Sequence, residues 1–139
     1  HTNTPVIYAD SRNEGVALRM RQQLNENAKT LCWHNLFPEM NHNELVGMKS
    51  ANDKLAIVVL RTDFDPERTQ IRMDLSEKII EKYTPNITEI YAKGNDFLTQ
   101  TYFLINFVDW ASLYLSELYG VDSIEVDVID YLKSELAKY

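Results

Sequence analysis

The segment KLAIVVLR at residues 54–61 constrains the fold more strongly than any other part of the sequence. It holds six consecutive apolar residues, of which Ile57, Val58 and Val59 are β-branched, and no polar residue alternates with them. A strand with one solvated face alternates apolar and polar residues, whereas a parallel strand covered on both faces shows a continuous apolar run. We therefore expect a central parallel strand here, with helices packed on both faces of its sheet.

Strands and helices are predicted to alternate along the rest of the chain. The other strand candidates are PVIYAD (5–10), LCWHNLF (31–37) and NITEIYAK (86–93). The helices are expected from a capping box of Ser11 and Glu14 to about Ala28, across MNHNELVGM (40–48), after a cap at Asp65, from about Asp96 to Tyr119, and from roughly Ile124 to Lys138. This alternation predicts an α/β fold, a three-layer sandwich with a mostly parallel sheet.

Two of these helices carry an apolar stripe at helical spacing. The expected buried residues are Ile71, Leu75 and Ile79 in the helix after Asp65, and Ile129, Leu132 and Leu136 in the last helix. We expect both stripes to face the core.

Length, charge and cysteine content exclude several classes of protein. The 139 residues suit a single domain spanning residues 1–139. A net charge of −7 argues against a nucleic-acid surface, which needs a basic stripe. One cysteine, Cys32, cannot form an internal disulfide and fits a reducing cytoplasm, and the start of the chain lacks the features of a signal peptide. Gln100 and Asp109 interrupt the least polar segment, so a buried or interface helix is expected there rather than a membrane span.

Glu26 and His42 flank the second predicted strand, and this position has a geometric consequence. The helix before the strand runs back along the sheet, so Glu26 is expected near the bottom, while His42 follows the top of the strand. Seven extended residues span about 23 Å at roughly 3.3 Å each. If both side chains serve one substrate, a dimer or a second domain has to bring them together.

Each candidate residue also has an ordinary explanation. Glu26 can be a solvated carboxylate with Lys29 as its partner, since exposed pairs of this kind are common and weak. His42 can be an exposed residue at a helix start. Lys133 lies three residues after Asp130, which is the spacing of a surface ion pair. Taken one at a time, these residues do not define a site.

Four longer motifs resemble one family. QQLNENAK, PEMNHNELVG, FVDWASLYLSELYGVDS and VIDYLKSEL occur in this order, and together they resemble the C-terminal half of the bifunctional phosphoglucose/phosphomannose isomerases, members of the sugar isomerase (SIS) domain superfamily. The resemblance covers about residues 14–137. It implies a SIS-like domain with flavodoxin-type topology, and it implies that this chain is the C-terminal half of an enzyme with two SIS domains.

The resemblance also implies a reaction and roles for three residues. The family interconverts glucose 6-phosphate or mannose 6-phosphate with fructose 6-phosphate through a cis-enediol. Glu26 corresponds to the base that moves the proton, His42 to a ring-opening residue from the neighbouring subunit of a homodimer, and Lys133 to a lysine that reaches the site from the last helix. A glutamate, a histidine and an ammonium suit these roles. The resemblance implies no cofactor and no metal.

One part of the family pattern is missing from this sequence. The family grips the sugar phosphate with a Ser/Thr-rich loop at a helix N-terminus, where main-chain N–H groups bind the anion. Here the loops after the first and third strands read ADSRNEG and RTDFDPE, and both are acidic. We therefore expect the phosphate site to lie in a missing N-terminal SIS domain, and the chain on its own to be inactive.

Two alternatives belong to other functional classes. Asp10, Asp63 and Lys93 follow strands at the places where a phosphoacceptor receiver domain keeps its acid pocket, phosphorylated aspartate and lysine. A SIS domain can also act as a sugar-phosphate-binding module without catalysis. Binding of magnesium with an acyl phosphate distinguishes the first alternative, and loss of isomerisation distinguishes the second.

Overall fold

Four parallel strands form one sheet in the computed structural model, which describes residues 3–51 and 54–139. The sheet order is β2-β1-β3-β4. The strands are β1 (Thr4–Asp10), β2 (Trp33–Phe37), β3 (Leu55–Arg61) and β4 (Ile87–Tyr91). In the register of the central strands, Ile7 of β1 lies opposite His34 of β2 and Val58 of β3. The predicted parallel sheet is therefore confirmed, with each strand within a few residues of its predicted range.

Helices connect the strands and cover both faces of the sheet. They are α1 (Glu14–Glu26), α2 (Glu44–Gly47), α3 (Glu67–Ile80), α4 (Phe97–Tyr119) and α5 (Asp127–Leu136). Short 3₁₀ segments at Ser11–Asn13, Glu39–Asn41 and Met48–Ser50 replace parts of the predicted helices. The helix expected over residues 40–48 is thus broken into two 3₁₀ turns and the single turn of α2.

The continuous apolar run of β3 contributes to two separate cores. Leu60 packs in a cluster with residues of α1 and α4, whereas Ile57 and Val59 pack in a cluster with residues of the 39–50 segment and α3. Neighbouring residues of a strand point to opposite faces, so a strand between two helical layers needs apolar residues at every position. The three-layer sandwich predicted from the sequence is confirmed.

The predicted caps of two helices are wrong. Asp10, rather than Ser11, accepts a hydrogen bond of 3.0 Å from the Arg12 main-chain N–H. Asp65 does not cap α3, because its carboxylate accepts hydrogen bonds from the main chain and the hydroxyl of Thr62 instead. In both cases the carboxylate closes the turn at the end of a strand. The predicted range of α4 is confirmed, and the helix has Asp96 as its N-cap and Gly120, in the left-handed conformation, at its end.

The apolar stripe of α3 does not face the sheet, contrary to the prediction. Ile71 and Leu75 are 51% and 55% exposed, and Ile79 is exposed as well. The buried residues of α3 are Thr69, Met73, Ser76 and Ile80. A helical stripe identifies an apolar face, but packing decides which face meets the sheet.

The stripe of α5 is also exposed, and α5 is shorter than predicted. Leu132 is 57% exposed, Ile129 and Leu136 are exposed too, and no residue of α5 is buried. The helix projects its apolar side chains away from the core formed by the described residues.

The buried face of α4 is largely polar. Its buried residues are Gln100, Leu104, Val108, Ser112 and Ser116. Tyr102, Trp110, Tyr114 and Leu118 lie on the exposed side. None of the described helices has both the length and the apolar content needed to cross a membrane. Large apolar side chains of α4 are therefore exposed on the described part of the chain.

Candidate functional site

Glu26 is the last residue of α1 and lies near the N-terminal ends of the strands. Its neighbour Lys29 lines a small cavity together with Asn3 and Thr4, at the start of β1, and with Tyr119, at the end of α4. Glu26 is exposed, and its carboxylate accepts no hydrogen bond within residues 3–51 and 54–139. The partial burial that favours a general base is thus not supplied by the described residues.

The main chain around Glu26 is attached to two other elements. The Asn27 side-chain N–H₂ donates to the Ser112 hydroxyl of α4 at 2.8 Å, and Ser112 is fully buried. The Lys29 ammonium donates to the Glu26 carbonyl at 2.7 Å and to the Glu125 carbonyl at 2.5 Å. Lys29 therefore binds the main-chain oxygen of Glu26 rather than its carboxylate, so the predicted Glu26–Lys29 side-chain pair is wrong. The exposed carboxylate lies on a fixed segment.

Lys133 lies on α5, whose first turn lines a cavity together with Glu26, and no ion pair joins the Lys133 and Glu26 side chains. Glu26 and Lys29 line a cavity of about 170 Å³ together with Val126, Val128 and Ile129 from the start of α5. Ile129 and Lys133 are four residues apart and share one helix face. The Lys133 ammonium is exposed and lies 3.7 Å from the Asp130 carboxylate, which is the ordinary pairing expected from the sequence.

His42 lies near the C-terminal ends of the strands, at the end of the sheet opposite to Glu26. It follows Phe37, the last residue of β2, which pairs with Asp10 at the end of β1. The five residues of β2 span about 16 Å at roughly 3.3 Å each. Glu26 and His42 thus lie at opposite ends of the strands, as expected from their positions in the sequence. The described chain does not bring them together.

The residues that flank His42 are held firmly, while its imidazole is exposed. Asn41 donates a hydrogen bond of 2.7 Å to the buried Ser76 hydroxyl of α3. Asn43 donates to the Glu39 carboxylate at 3.0 Å and accepts from the Glu44 main-chain N–H at 2.6 Å. The two asparagines therefore fix the turn on both sides of His42.

Glu44 attaches the same segment to the centre of the sheet. The hydroxyl of Tyr8, a fully buried residue of β1, donates to Glu44 Oε2 at 2.7 Å. Asn35 of β2 donates to Glu44 Oε1 at 3.0 Å. Burial, reinforced by the hydrogen bond to Glu44, raises the pKa of Tyr8 well above its usual range, so the hydroxyl keeps its proton. No local pattern indicates this contact, because Tyr8 and Glu44 are 36 residues apart.

The loops after β1 and β3 form a closed polar network. Asp10 and Asp65 are buried, and Asn13 donates to the Asp65 carboxylate at 3.4 Å. Arg12 pairs with Asp10 at 3.0 Å and donates to the Phe64 carbonyl. Burial raises the pKa of Asp65, although the hydrogen bonds from Thr62 oppose this shift. Ligands of open α/β sheets usually bind at this point between the central strands, but here the chain's own side chains occupy it.

The residues of the receiver alternative take part in ordinary contacts. The Asp63 carboxylate accepts a hydrogen bond of 2.6 Å from the fully buried Gln100 of α4, and Lys93 is exposed. Across the described ranges, no group of three or more His, Cys, Asp and Glu side chains is arranged to hold a metal ion.

No sequence motif indicated the buried arginine at the end of β3. Arg61 pairs with Asp74 at 2.8 Å, with Glu77 at 2.7 Å and also with Glu89, and its guanidinium lies over the Tyr91 ring. Burial raises the pKa of Glu77, and the contact with Arg61 opposes that shift. The cluster neutralises Arg61 and joins α3 to β4, which is a structural role.

Comparison with known proteins gives a consistent family assignment. Residues 1–136 match the family model described as the bacterial phospho-glucose isomerase C-terminal SIS domain. The chain is 39% identical over 138 residues to a bifunctional phosphoglucose/phosphomannose isomerase of Caldicellulosiruptor bescii, and 32% identical over 137 residues to one of Aquifex aeolicus. These matches cover 96% and 97% of the chain, but only 41% and 43% of the relatives.

A solved structure shares the fold. A glucose-6-phosphate isomerase like protein from Thermus thermophilus matches with a TM-score of 0.69 and 27% identity, over 88% of this chain and 41% of that protein. The chain therefore spans about two fifths of the length of these three proteins.

Proposed function

The chain belongs to the family of bacterial phospho-glucose isomerase C-terminal SIS domains, and on this basis we propose that it is the proton-transfer domain of a phosphoglucose/phosphomannose isomerase. The substrates are glucose 6-phosphate or mannose 6-phosphate and fructose 6-phosphate. The observation that carries the proposal is the presentation of Glu26 and His42, both exposed, on segments fixed by buried residues.

In the proposed reaction, Glu26 and His42 transfer protons and Lys133 stabilises negative charge. The Glu26 carboxylate removes a proton from C2 of the open-chain aldose and returns it to C1 of the cis-enediol, while the hydroxyl proton of O2 is lost and O1 gains one, so no net proton is consumed. His42 exchanges a proton with the ring oxygen as the ring opens. The Lys133 ammonium stabilises the negative charge that develops on the enediolate.

The proposed active site needs two copies of the chain. Glu26 and His42 lie at opposite ends of the strands, so one substrate can contact both only if His42 comes from a neighbouring subunit. We assign the homodimer contact to the exposed side of α4, where Tyr102, Trp110 and Tyr114 are available. Burying aromatic side chains of this size is typical of a stable interface.

The sugar phosphate needs a site outside this chain. The loops after β1 and β3 carry buried carboxylates in place of a ring of main-chain N–H donors, and a carboxylate repels a phosphate. We therefore propose that an N-terminal SIS domain supplies the phosphate site, in agreement with the length of the relatives. We also propose a cytoplasmic location, since the one cysteine, Cys32, is free.

The test is conversion of fructose 6-phosphate to glucose 6-phosphate by the full-length polypeptide that carries this chain. We expect Glu26→Gln to lower kcat by at least about a hundredfold, because it removes a general base without changing the size of the side chain. Glu117→Gln is the matched control, since Glu117 is an exposed glutamate in the last turn of α4.

The same assay separates catalysis from binding alone. A folded, dimeric wild-type protein that binds hexose 6-phosphate without converting it would identify a non-catalytic SIS module. Equal loss of activity in Glu26→Gln and Glu117→Gln would remove the special role of Glu26.

A further inference from the structure

Lys29 adopts a conformation that lysine rarely takes. Its φ angle is 52°, and no other described residue except glycine has a positive φ. The left-handed region brings Cβ close to the following carbonyl oxygen, so it is normally occupied by glycine or asparagine. A strained residue of this kind persists only where its surroundings hold it. The contacts of the Lys29 side chain are therefore the feature to explain.

The ammonium of Lys29 bridges two segments that are distant in sequence. It donates to the carbonyl of Glu26, at the end of α1, and to the carbonyl of Glu125, 96 residues away. The Glu125 carboxylate lies 4.0 Å from the same ammonium. An ammonium has three donors and no acceptor, so it suits a site of converging carbonyl oxygens. Lys29 thus connects the end of α1 to the segment that enters α5.

The helix α5 has few other attachments to the domain. None of its residues is buried, and Val128 and Ile129 only line a small cavity together with Glu26, at the end of α1. Glu125 lies two residues before the first residue of α5. The direction in which α5 leaves the domain, and with it the place of Lys133, depends on how the Glu125 segment is held.

We infer that Lys29 is a positioning residue that holds the helix carrying Lys133 against the segment carrying Glu26. The inference rests on the proposed function, because it assigns Lys29 the task of setting the distance between the base and the ammonium. Lys29 touches neither Lys133 nor the carboxylate of Glu26. It acts on both through main-chain carbonyls.

Three substitutions separate the effect of the Lys29 hydrogen bonds from the effect of its strained main-chain conformation. Lys29→Met keeps the length of the side chain and removes the ammonium. Lys29→Gly removes both the bridge and the strain, since glycine adopts a positive φ freely. Lys29→Arg keeps the charge and several donors. Lys78→Met is the matched control, because Lys78 is an exposed lysine of α3, outside residues 127–136.

The first measurement is amide hydrogen exchange of residues 127–136 in the full-length polypeptide. We expect exchange of α5 to accelerate about tenfold in Lys29→Met and in Lys29→Gly, because hydrogen bonds from a charged donor are lost. We expect α1 and β1 to be unchanged, and Lys29→Arg and Lys78→Met to resemble the wild type. Unchanged exchange of α5 in both Lys29→Met and Lys29→Gly would overturn the inference.

The second measurement is the separation of kcat from KM with fructose 6-phosphate. A misplaced ammonium stabilises the transition state less well. We therefore expect kcat to fall about tenfold in Lys29→Met, with KM within about twofold. Recovery of kcat in Lys29→Arg supports positioning, whereas loss in Lys29→Arg equal to that in Lys29→Met argues against it. An inactive wild type would overturn the proposed function, while the exchange of α5 would still decide whether Lys29 holds the helix.

Discussion

The segments that carry Glu26 and His42 present their side chains in the same way but are held by different layers of the sandwich. Next to Glu26, Asn27 bonds to Ser112 of α4 and Lys29 bonds to the segment before α5. Around His42, the anchors are a serine of α3 and two side chains of the strands β1 and β2. The helix α3 covers the face of the sheet opposite to α4. Both segments place an exposed catalytic candidate between anchored neighbours.

The two segments differ in how completely the chain itself fixes them. The anchors of the His42 segment are buried parts of the sheet and of α3, so the described residues are sufficient to define its geometry. The Glu26 segment depends in part on α5, which buries nothing. The described residues therefore fix the surroundings of His42 more completely than those of Glu26.

The largest expected effect tests whether the two segments meet between subunits. Glu26→Gln and His42→Ala are each expected to be inactive as full-length homodimers. Mixed dimers regain one intact site out of two, and half of the dimers are mixed after random exchange. We therefore expect activity to return to about one quarter of the wild-type value after mixing. If mixing restores no activity while mixed dimers form, then both residues serve one site within one subunit.

The next effect concerns the anchor of the His42 segment. Tyr8→Phe removes one of the donors to Glu44, and we expect the free energy of unfolding to fall by about 1–3 kcal/mol, because a partly buried carboxylate keeps the hydrogen bond from Asn35 but loses the one from Tyr8. Urea unfolding measures this change. Tyr91→Phe is the control, since the exposed Tyr91 hydroxyl also donates to a glutamate. A Tyr8→Phe protein as stable as the wild type would show that the anchor contributes nothing.

A smaller effect compares the asparagines of the two segments directly. Asn27→Ala and Asn41→Ala each remove one hydrogen bond to a buried serine, at 2.8 and 2.7 Å. We expect each to lower the free energy of unfolding by about 1 kcal/mol. Double-mutant cycles with Ser112→Ala and Ser76→Ala isolate the two bonds. Additive effects in either cycle would mean that the corresponding hydrogen bond does not stabilise its segment.

The smallest expected effect is a pH dependence of the protein's stability that arises from His34 of β2, the strand that joins the two segments. Burial lowers the pKa of His34, and the nearby Arg21 adds to the shift. The unfolded chain then binds more protons than the folded chain below the usual pKa of about 6.5, so stability falls as the pH drops through that value. We expect the urea midpoint to decrease less between pH 7.5 and 5.5 in His34→Gln than in the wild type. An identical decrease in both proteins would assign the pH dependence to other groups.

Local patterns predicted the order and the types of the elements, whereas the candidate residues came from the resemblance of longer motifs to a family. The apolar run of β3 predicted a strand between two helical layers, and Asp96 and Gly120 marked the ends of α4. These signals are local, because strand period, helix caps and turn residues depend on neighbours in the sequence. The motif around His42 likewise indicated a candidate site, although the role of His42 stays a prediction.

The orientation of the helices could not be predicted in the same way. The stripes of α3 and α5 are apolar, yet they face outwards, since the sheet packs against Met73 and Ile80 of α3 and against no buried residue of α5. A stripe that contacts a partner and a stripe that faces the core have the same period. Sequence alone cannot separate them.

The order of the elements, the parallel sheet and the positions of Glu26 and His42 at its two ends could all be read from the amino-acid sequence, because they follow from local periodicity and from the handedness of the connections. What holds those two residues in place depends instead on tertiary packing. Ser112 lies 85 residues from Asn27, and Glu125 lies 96 residues from Lys29. Contacts of this kind depend on how whole helices pack, which no local pattern records.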